Sequence, residues 1–376
     1  MSVNLVNKHI LMTANAAWNI WNFRRPIVEA LLRDGHKITV LAPADMAVPN
    51  LLSLGCRFLP IEMNTRSLNP FQGIKLQQVF KRFFQEENPD IILSYTIKNN
   101  IFGSRAARAL GIRFIPNVTG LGTAFLSGMF LQKITEQLYY EAFRSVPTVF
   151  FQNQDDQDLF LKRGIVRSKQ ARLLPGSGVD LERFAPAELA CPEVPPIILM
   201  VSRILGDKGV LEFVDAARQV KVVYPRARFQ LLGATVGSIR NGIDKNTVEE
   251  WVLEGVVEYL GETNDVRTAI SASSCIVLPS YREGAPRSLM EAAAMARPII
   301  TTDVPGCRSV IDHNVSGFLC HAKSASSLAE AILLFLGLSP KQKKDMGDAG
   351  RMKMVAEFDQ TLIVEAYRNI VSSSDN

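Results

Sequence analysis

Apolar runs of five to nine residues, each followed by a turn and a stretch with helical spacing, recur along the whole chain. In the first half the runs are 9–15 (HILMTAN), 37–43 (KITVLAP), 56–63 (CRFLPIEM), 90–96 (DIILSYT), 113–119 (RFIPNVT) and 148–153 (TVFFQN). Between them lie helical patterns such as KLQQVFKRFFQEE at 75–87. The alternation fails at 184–196, FAPAELACPEVPP, where Pro186, Pro192, Pro195 and Pro196 break both periods and predict a linker. It restarts with 196–204 (PIILMVSRI), 227–235 (ARFQLLGAT), 256–261 (VVEYLG), 274–280 (SCIVLPS), 297–304 (RPIITTDV) and 317–321 (GFLCH), and two or three helices follow Ser324.

Continuous apolar strands separated by helices predict parallel sheets covered on both faces. The fold class is therefore α/β, with two Rossmann-like doubly wound domains facing across a cleft. The expected bounds are 1–185 and 186–360, with a last helix at about 360–376 packing back on the first domain. Open parallel sheets take ligands beyond the carboxyl ends of their strands, so informative residues should follow strands directly.

Composition narrows the picture. Hydrophobic residues make up 47% and charged residues 21% of the 376, ordinary for a globular α/β chain. No apolar run is long enough to span a bilayer, and MSVNLVNKHILMTAN lacks the apolar core of a signal peptide, so the expected location is cytoplasmic. The five cysteines form no CxxC pair, which fits reduced, mostly buried thiols. Residues 1–185 hold 22 Lys/Arg against 14 Asp/Glu, whereas 186–376 hold 20 against 23. The first half thus carries +8 and the second −3, which suits either an anionic partner of the first half or a solvated basic face.

Three features of the second half carry candidate chemistry. Arg203 and Lys208 follow the strand PIILMVS beside a glycine turn, where a forked guanidinium and a point charge suit a diphosphate. The strand SCIVLPS leads into YREGAPRSLMEAAAMA, a loop and then a helix starting near Pro286. The amides at 286–289 make an anion site there. Glu283 sits just before it, as a carboxylate that either benefits from the helix end or accepts from two sugar hydroxyls. Glu291 lies on a helix of Leu289, Met290, Ala292, Ala293, Ala294 and Met295, where a carboxylate needs a partner such as the vicinal hydroxyls of a ribose.

Glu283 and Glu291, eight positions apart in PSYREGAPRSLMEAAAMARPIITTDVPG, resemble the donor-binding signature of family 4 glycosyltransferases, retaining enzymes of the GT-B fold. SRILGDKGV (202–210), GSGVDLERFAP (176–186) and YLGETNDV (259–266) match further motifs of that family in order, so the resemblance spans essentially the whole chain. It implies that Glu283, Arg203 and Lys208 are catalytic. It also implies that Glu291, Gly284, Pro286, Arg287, Ser288 and Leu289 bind the donor, a UDP-sugar. No cofactor or metal is expected.

In the first half, NIWNFRRPI (19–27), SLNPF (67–71) and TGLGTAF (119–125) resemble enzymes that extend sugars on polyprenyl diphosphate carriers. The implied acceptor is a polyprenyl-diphosphate-linked sugar, in O-antigen, capsule or glycoprotein oligosaccharide assembly. The implied location is peripheral, on the inner face of the cytoplasmic membrane. TAFLSGMFLQKI (123–134) reads either as a membrane-docking element or as the start of a buried helix. The first loop, NAAWNIWNF, has no glycine, and of the half's only histidines His9 opens the first strand and His36 precedes the second, so neither is well placed. Where relatives carry a histidine this chain reads NVTGLG, leaving Asn15, Thr119, Gly120 and Gly122 as acceptor-side candidates.

The DQD at 156–158 resembles a metal-binding Asp-x-Asp but reads as the acidic first turn of a helix with a basic end. A UDP-sugar 2-epimerase of the same architecture is the alternative activity. A dehydrogenase is disfavoured because no G-x-G-x-x-G follows the first strand. A binding module without turnover would also fit, and no nucleic acid partner is expected.

Overall fold

The computed structural model describes residues 7–63, 70–121, 129–188, 193–237 and 241–373. The chain forms two units, Met1–Ser177 with Gln360–Asn376, and Gly178–Asp359.

The first unit holds strands β1 (His9–Thr13), β2 (Lys37–Ala42), β3 (Arg57–Pro60), β4 (Ile91–Tyr95), β5 (Arg113–Val118), β6 (Val149–Phe151) and β7 (Ala171–Leu173). They form one parallel sheet in the order β3-β2-β1-β4-β5-β6-β7. Every residue of β4 is buried, as expected of a central strand covered on both faces. β7 has no counterpart in the sequence reading. It is a three-residue edge strand with two exposed residues, too short to give an apolar run. The sheet reverses direction of growth between β1 and β4, which makes the ends of those strands the unit's topological switch point.

The helix Gln360–Ser372 belongs to this unit. Its Ile363, Tyr367 and Val371 enter the core beside Ile10, Leu93 and Phe150. The Tyr367 hydroxyl accepts from Asn117 Nδ2 at 2.9 Å, and Arg368 forks onto both oxygens of Asp34 at 2.7 and 2.9 Å.

The second unit holds β8 (Ile197–Val201), β9 (Arg228–Leu232), β10 (Glu258–Tyr259), β11 (Cys275–Leu278), β12 (Ile299–Thr302) and β13 (Gly317–Cys320). They too pair in parallel, in the order β10-β9-β8-β11-β12-β13, so this switch point lies between β8 and β11. Three helices follow Ser324: Ala325–Gly337, Pro340–Glu357 and the returning Gln360–Ser372.

The division falls at Ser177/Gly178, ahead of the proline-rich stretch, and 178–188 pack with the second unit. Val179 donates to Phe358 O, and Phe184 is buried in the second core. The fully buried Arg297 donates to the carbonyls of Ala187, Glu188, Ile270 and Ser271 at 2.7, 2.6, 3.1 and 2.7 Å. Ala187 and Glu188 are thus not a loose connection. Prolines removed the periodic signal, but a buried guanidinium with five donors fixes the backbone from the other side.

Asn153 caps the helix Gln154–Lys162, accepting from the Asp156 amide at 2.8 Å, and Asp156 is fully buried beside it. Among the described residues no three His, Cys, Asp or Glu cluster as metal ligands, and no helix is long and apolar enough to cross a membrane. Cys56, Cys275, Cys307 and Cys320 are buried free thiols, and Cys191 lies outside the described residues.

Candidate nucleotide-sugar site in the second unit

The two strands that flank the second switch point carry the predicted residues. Arg203 and Lys208 follow β8, and Glu283 follows β11. The strand ends are tied together by backbone contacts. Ser202 N donates to Leu232 O and Gly233 N to Gly261 O, so the turns after β8, β9 and β10 adjoin. A Cβ on Gly233 would lie 1.9 Å from Ser202 O, so only glycine permits that approach.

β11 is followed by Pro279 and the buried Ser280. Thr301 Oγ1 donates to Leu278 O at 2.7 Å and Thr302 Oγ1 to Ser280 O, so β12 holds the corner from its far side. The Tyr281 amide donates to Asp207 O at 3.0 Å, which seats the Gly206–Lys208 turn against the corner. Gly209 completes that turn with φ +75°, and a Cβ there would sit 2.2 Å from Pro279 O.

These contacts place Lys208 beside Glu283. Lys208 Nζ donates to Glu283 Oε1, which also accepts from Ser280 Oγ at 2.7 Å. Both charged side chains are largely buried, at 20% and 14% exposure. The Glu283 amide donates to Pro305 O at 3.1 Å, and Gly306 packs its α-carbon against the carbonyls of Glu283 and Gly284. Glu283 is therefore not a loop carboxylate waiting at a helix end. It is half of an ion pair, with its backbone fixed by the VPG turn.

The helix Arg287–Ala294 begins one residue later than expected, with Pro286 as its N-cap. Proline has no N–H, and the amides of Leu289 and Met290 both donate to Pro286 O. Of the run 286–289, positions 286 and 289 therefore offer no amide to an anion. This narrows the expected donor set.

Glu291 is buried, as its apolar surroundings predict, and has a protein partner: Arg287 Nε lies 2.7 Å from its Oε1, one helical turn earlier. Burial pushes the Glu291 carboxyl above its ordinary range, with Arg287 and Arg183 pulling the other way and Asp265 adding to the rise. Arg203 is exposed and has no ion pair among the described residues.

Five contributors escaped the sequence reading. Ser280 donates to Glu283, and Gly306 fixes its backbone. Tyr281 donates to Glu212 Oε1 at 2.6 Å, and Lys323 Nζ lies 5.0 Å from its ring centre. Burial and the Glu212 carboxylate raise the Tyr281 hydroxyl well above its usual range, so it remains a donor. Of these only Gly306, in a VPG turn after a strand, left a signal in the sequence.

In the first unit, Asn15 follows β1 and its Oδ1 accepts from Asn19 Nδ2 at 3.3 Å. Thr119 and Gly120 follow β5, both partly exposed, with Gly120 at φ +118°. The three share the carboxyl edge of the sheet, whereas His9 and His36 stand at its amino edge. Gly122, residues 67–69 of SLNPF, 122–125 of TGLGTAF and 123–128 of TAFLSGMFLQKI lie outside the described residues, and 129–134 of the last open the helix Met129–Phe143.

Comparison with known proteins bears on both halves. Residues 182–353 match the family described as Glycosyl transferases group 1, and residues 9–153 match Glycosyl transferase 4-like. The chain is 28% identical over 373 residues to the N,N'-diacetylbacillosaminyl-diphospho-undecaprenol alpha-1,3-N-acetylgalactosaminyltransferase of Campylobacter jejuni, covering 94% of this chain and 96% of that one. It is 25% identical over 284 residues to the UDP-Gal:alpha-D-GlcNAc-diphosphoundecaprenol alpha-1,3-galactosyltransferase of Escherichia coli, covering 71% and 72%. Among solved structures, a glycosyltransferase from Rickettsia africae superposes with a TM-score of 0.76 at 19% identity, over 98% of this chain and 100% of that one. Anabaena Alr3699/HepE in complex with UDP superposes with a TM-score of 0.77 at 17% identity, over the same shares. At these identities the structural likeness is one of fold.

Proposed function

Because the chain belongs to the GT-B glycosyltransferases, its halves matching the glycosyl transferase 4-like and group 1 families, we propose that it moves a sugar from a UDP-sugar to a sugar carried on a polyprenyl diphosphate, with retention at the anomeric carbon. The observation that carries the donor half is the corner after β11, where Lys208, Glu283 and the Arg287–Ala294 helix converge at the switch point. The acceptor half rests on the two relatives whose names specify diphospho-undecaprenol sugars, and on the +8 charge of residues 1–185.

In this reading the bond from the anomeric carbon to the β-phosphate oxygen breaks, and a bond to the acceptor hydroxyl oxygen forms. The acceptor proton passes to the departing phosphate. Charge develops on the diphosphate, where Arg203, Lys208 and the 287–288 end of the helix oppose it. Preorganised cations of this kind contribute about 10²–10³ each in rate. Glu283 accepts from hydroxyls of the sugar and Glu291 from those of the ribose. Gly284, Pro286, Arg287, Ser288 and Leu289 line the donor between them. The Lys208–Glu283 pair then has to loosen as the donor enters, giving Lys208 to phosphate and Glu283 to sugar. No metal is required, and the enzyme works at the inner membrane surface, where such a lipid acceptor resides.

The test is turnover of a panel of UDP-sugars (galactose, N-acetylgalactosamine, glucose and N-acetylglucosamine) against undecaprenyl-diphosphate-linked N-acetylglucosamine, with and without EDTA. Transfer in EDTA, dependent on the acceptor, is expected. A strict metal requirement removes the proposed clamp. Conversion of a UDP-sugar by the enzyme alone, without acceptor, supports the epimerase instead.

A further inference from the structure

The chain has three tryptophans, and packing accounts for two of them. Trp251 belongs to the second core, and the Arg25 guanidinium covers the Trp21 ring at 4.8 Å from its centre. Trp18 is 46% exposed. A lone exposed apolar side chain needs no explanation in itself. This one stands in the first turn of the helix Ala17–Arg33, just beyond the carboxyl end of β1, where the first sheet reverses its direction of growth. Open α/β sheets take ligands at that edge.

Trp18 is also fixed in place. Its amide donates to Asp45 Oδ2 at 2.8 Å, and Asp45 Oδ1 accepts from Ala47 N at 2.8 Å, so the turn after β2 holds the start of the helix. The Trp18 ring meets that of Phe23 edge to face, with 5.4 Å between centres and 88° between planes. A flat ring held in advance loses little entropy when a ligand covers it. Flanking it in sequence, Asn15 Oδ1 accepts from Asn19 Nδ2 at 3.3 Å, while Asn19 Oδ1 is buried with no partner. An unmet buried acceptor costs stability, and here it accompanies a bond that orients Asn15. That bond engages Asn15 through its oxygen and leaves its N–H donors to a ligand.

The same turn is a poor site for phosphate. A helix N-terminus binds anions through free amides. Here Ala17 N donates to Pro43 O at 3.1 Å, Trp18 N to Asp45, and Asn19 N to Ala16 O at 3.2 Å. The first three amides are engaged, and a carboxylate already occupies the positive end of the helix. What the turn offers is an aromatic face and a neutral amide. A sugar ring matches both, with C–H groups for the electron-rich face and oxygens for the amide.

We propose that Trp18 is the platform on which the acceptor sugar stacks, with Asn15 donating to one of its oxygens, and that Asp45, Phe23 and Asn19 are positioning residues. This deepens the proposed function and rests on it for the class of ligand, a sugar carried on a lipid diphosphate.

The test uses the full chain in detergent micelles, titrated with geranylgeranyl diphosphate and with the same lipid diphosphate bearing N-acetylglucosamine or N,N'-diacetylbacillosamine. Wild type is expected to bind at least one sugar-bearing lipid about tenfold more tightly than the bare one. Trp18→Ala should erase that difference, with affinities for the bare lipid diphosphate and for UDP within about threefold of wild type. Trp18→Phe, which keeps a flat face, should retain most of it. Trp18→Leu, apolar but not flat, should behave as alanine does. In turnover, Trp18→Ala should raise the acceptor KM by about tenfold or more and leave the UDP-sugar KM unchanged, a split that a merely structural role would not give. An unchanged acceptor KM in Trp18→Ala overturns the proposal. So does a wild type that binds bare and sugar-bearing lipids equally. Leucine matching phenylalanine also overturns it and assigns the surface to the isoprenoid chain. Tight binding of a sugar-bearing lipid, lost in Trp18→Ala but without transfer from any UDP-sugar, supports the platform and removes the proposed reaction instead.

Discussion

Lys208 and Glu283, 75 positions apart in sequence, share one ion pair at the switch point of the second sheet, with Ser280 donating to the same carboxylate oxygen. Each side chain is thus the other's nearest compensation, and removing one leaves the other largely buried without it. If Lys208 serves the leaving diphosphate and Glu283 the sugar, each single alanine variant should lower kcat by about 10²-fold or more. The double variant should fall far short of the product of the two, with a coupling of about 1–3 kcal/mol. A double-mutant cycle on UDP-sugar turnover measures this. Strict additivity would mean that the pair acts as two independent groups.

Glu291 carries a cost that a donor would repay. Burial raises its carboxyl above the ordinary value near 4.5, and the Arg287 pair offsets this only in part. An acid with a raised folded pKa binds more protons folded than unfolded between the two values, so stability is lost as pH climbs through that window. Glu291→Gln keeps the shape without the charge. It should melt higher than wild type at pH 8, with the difference shrinking as pH falls towards 4, while UDP binds about tenfold more weakly because the amide keeps one neutral acceptor oxygen where the carboxylate offered two charged ones to the vicinal hydroxyls. Melting curves across pH and UDP calorimetry test both halves. A lower melting temperature at pH 8 would mean that the Arg287 pair outweighs desolvation.

Arg297 is the residue on which the start of the second unit depends. Its burial pulls its pKa down to about 10, which leaves it protonated at neutral pH, and its guanidinium serves four carbonyls. Arg297→Met would leave those carbonyls unmet and should cost about 3–5 kcal/mol. For a unit of this size that is a fall in melting temperature on the order of 10 °C. Arg297→Lys should recover only part of it, since an ammonium cannot fork onto carbonyls on several sides. Thermal unfolding of the three chains gives the order, and equal stability of Lys and Arg would contradict it.

The strands were legible because burial on both faces writes itself as a continuous apolar run, as in Ile91–Tyr95 and Cys275–Leu278. The residue types of the site were legible for the opposite reason: a carboxylate at Glu291 among alanines and methionines is conspicuous. Partners were not. Nothing local in the sequence says that Lys208 will meet Glu283, because that contact depends on Gly209 closing against Pro279 and on Tyr281 reaching Asp207. The proline-rich stretch read as a linker because its anchor, Arg297, lies 110 positions on. A left-handed turn at Thr96, φ +74°, was invisible, since a threonine after IILSY reads as more strand, and only its bond to Asn99 and the bridge from Asn99 to Thr13 hold it otherwise.

Gly306 offers a way to move Glu283 without touching its side chain. It adopts φ +81°, and an added Cβ would meet Glu283 O at 2.4 Å and Gly284 O at 2.6 Å. Gly306→Ala therefore combines the cost of a left-handed alanine, about 1–2 kcal/mol, with a forced shift of the sugar-side loop. Gly255 is the matched control, since it has φ +75° and nothing within 4 Å of its added Cβ. Gly255→Ala should lose stability through backbone strain alone and keep normal turnover. Gly306→Ala should lose at least as much stability and in addition lower kcat by about tenfold or more, with UDP affinity within about threefold, because the displaced carbonyl belongs to the residue proposed to hold the sugar rather than the nucleotide. Melting temperature, kcat and UDP affinity measured on the pair separate the two effects. Equal turnover in both variants would show that the backbone position of Glu283 does not matter to the reaction.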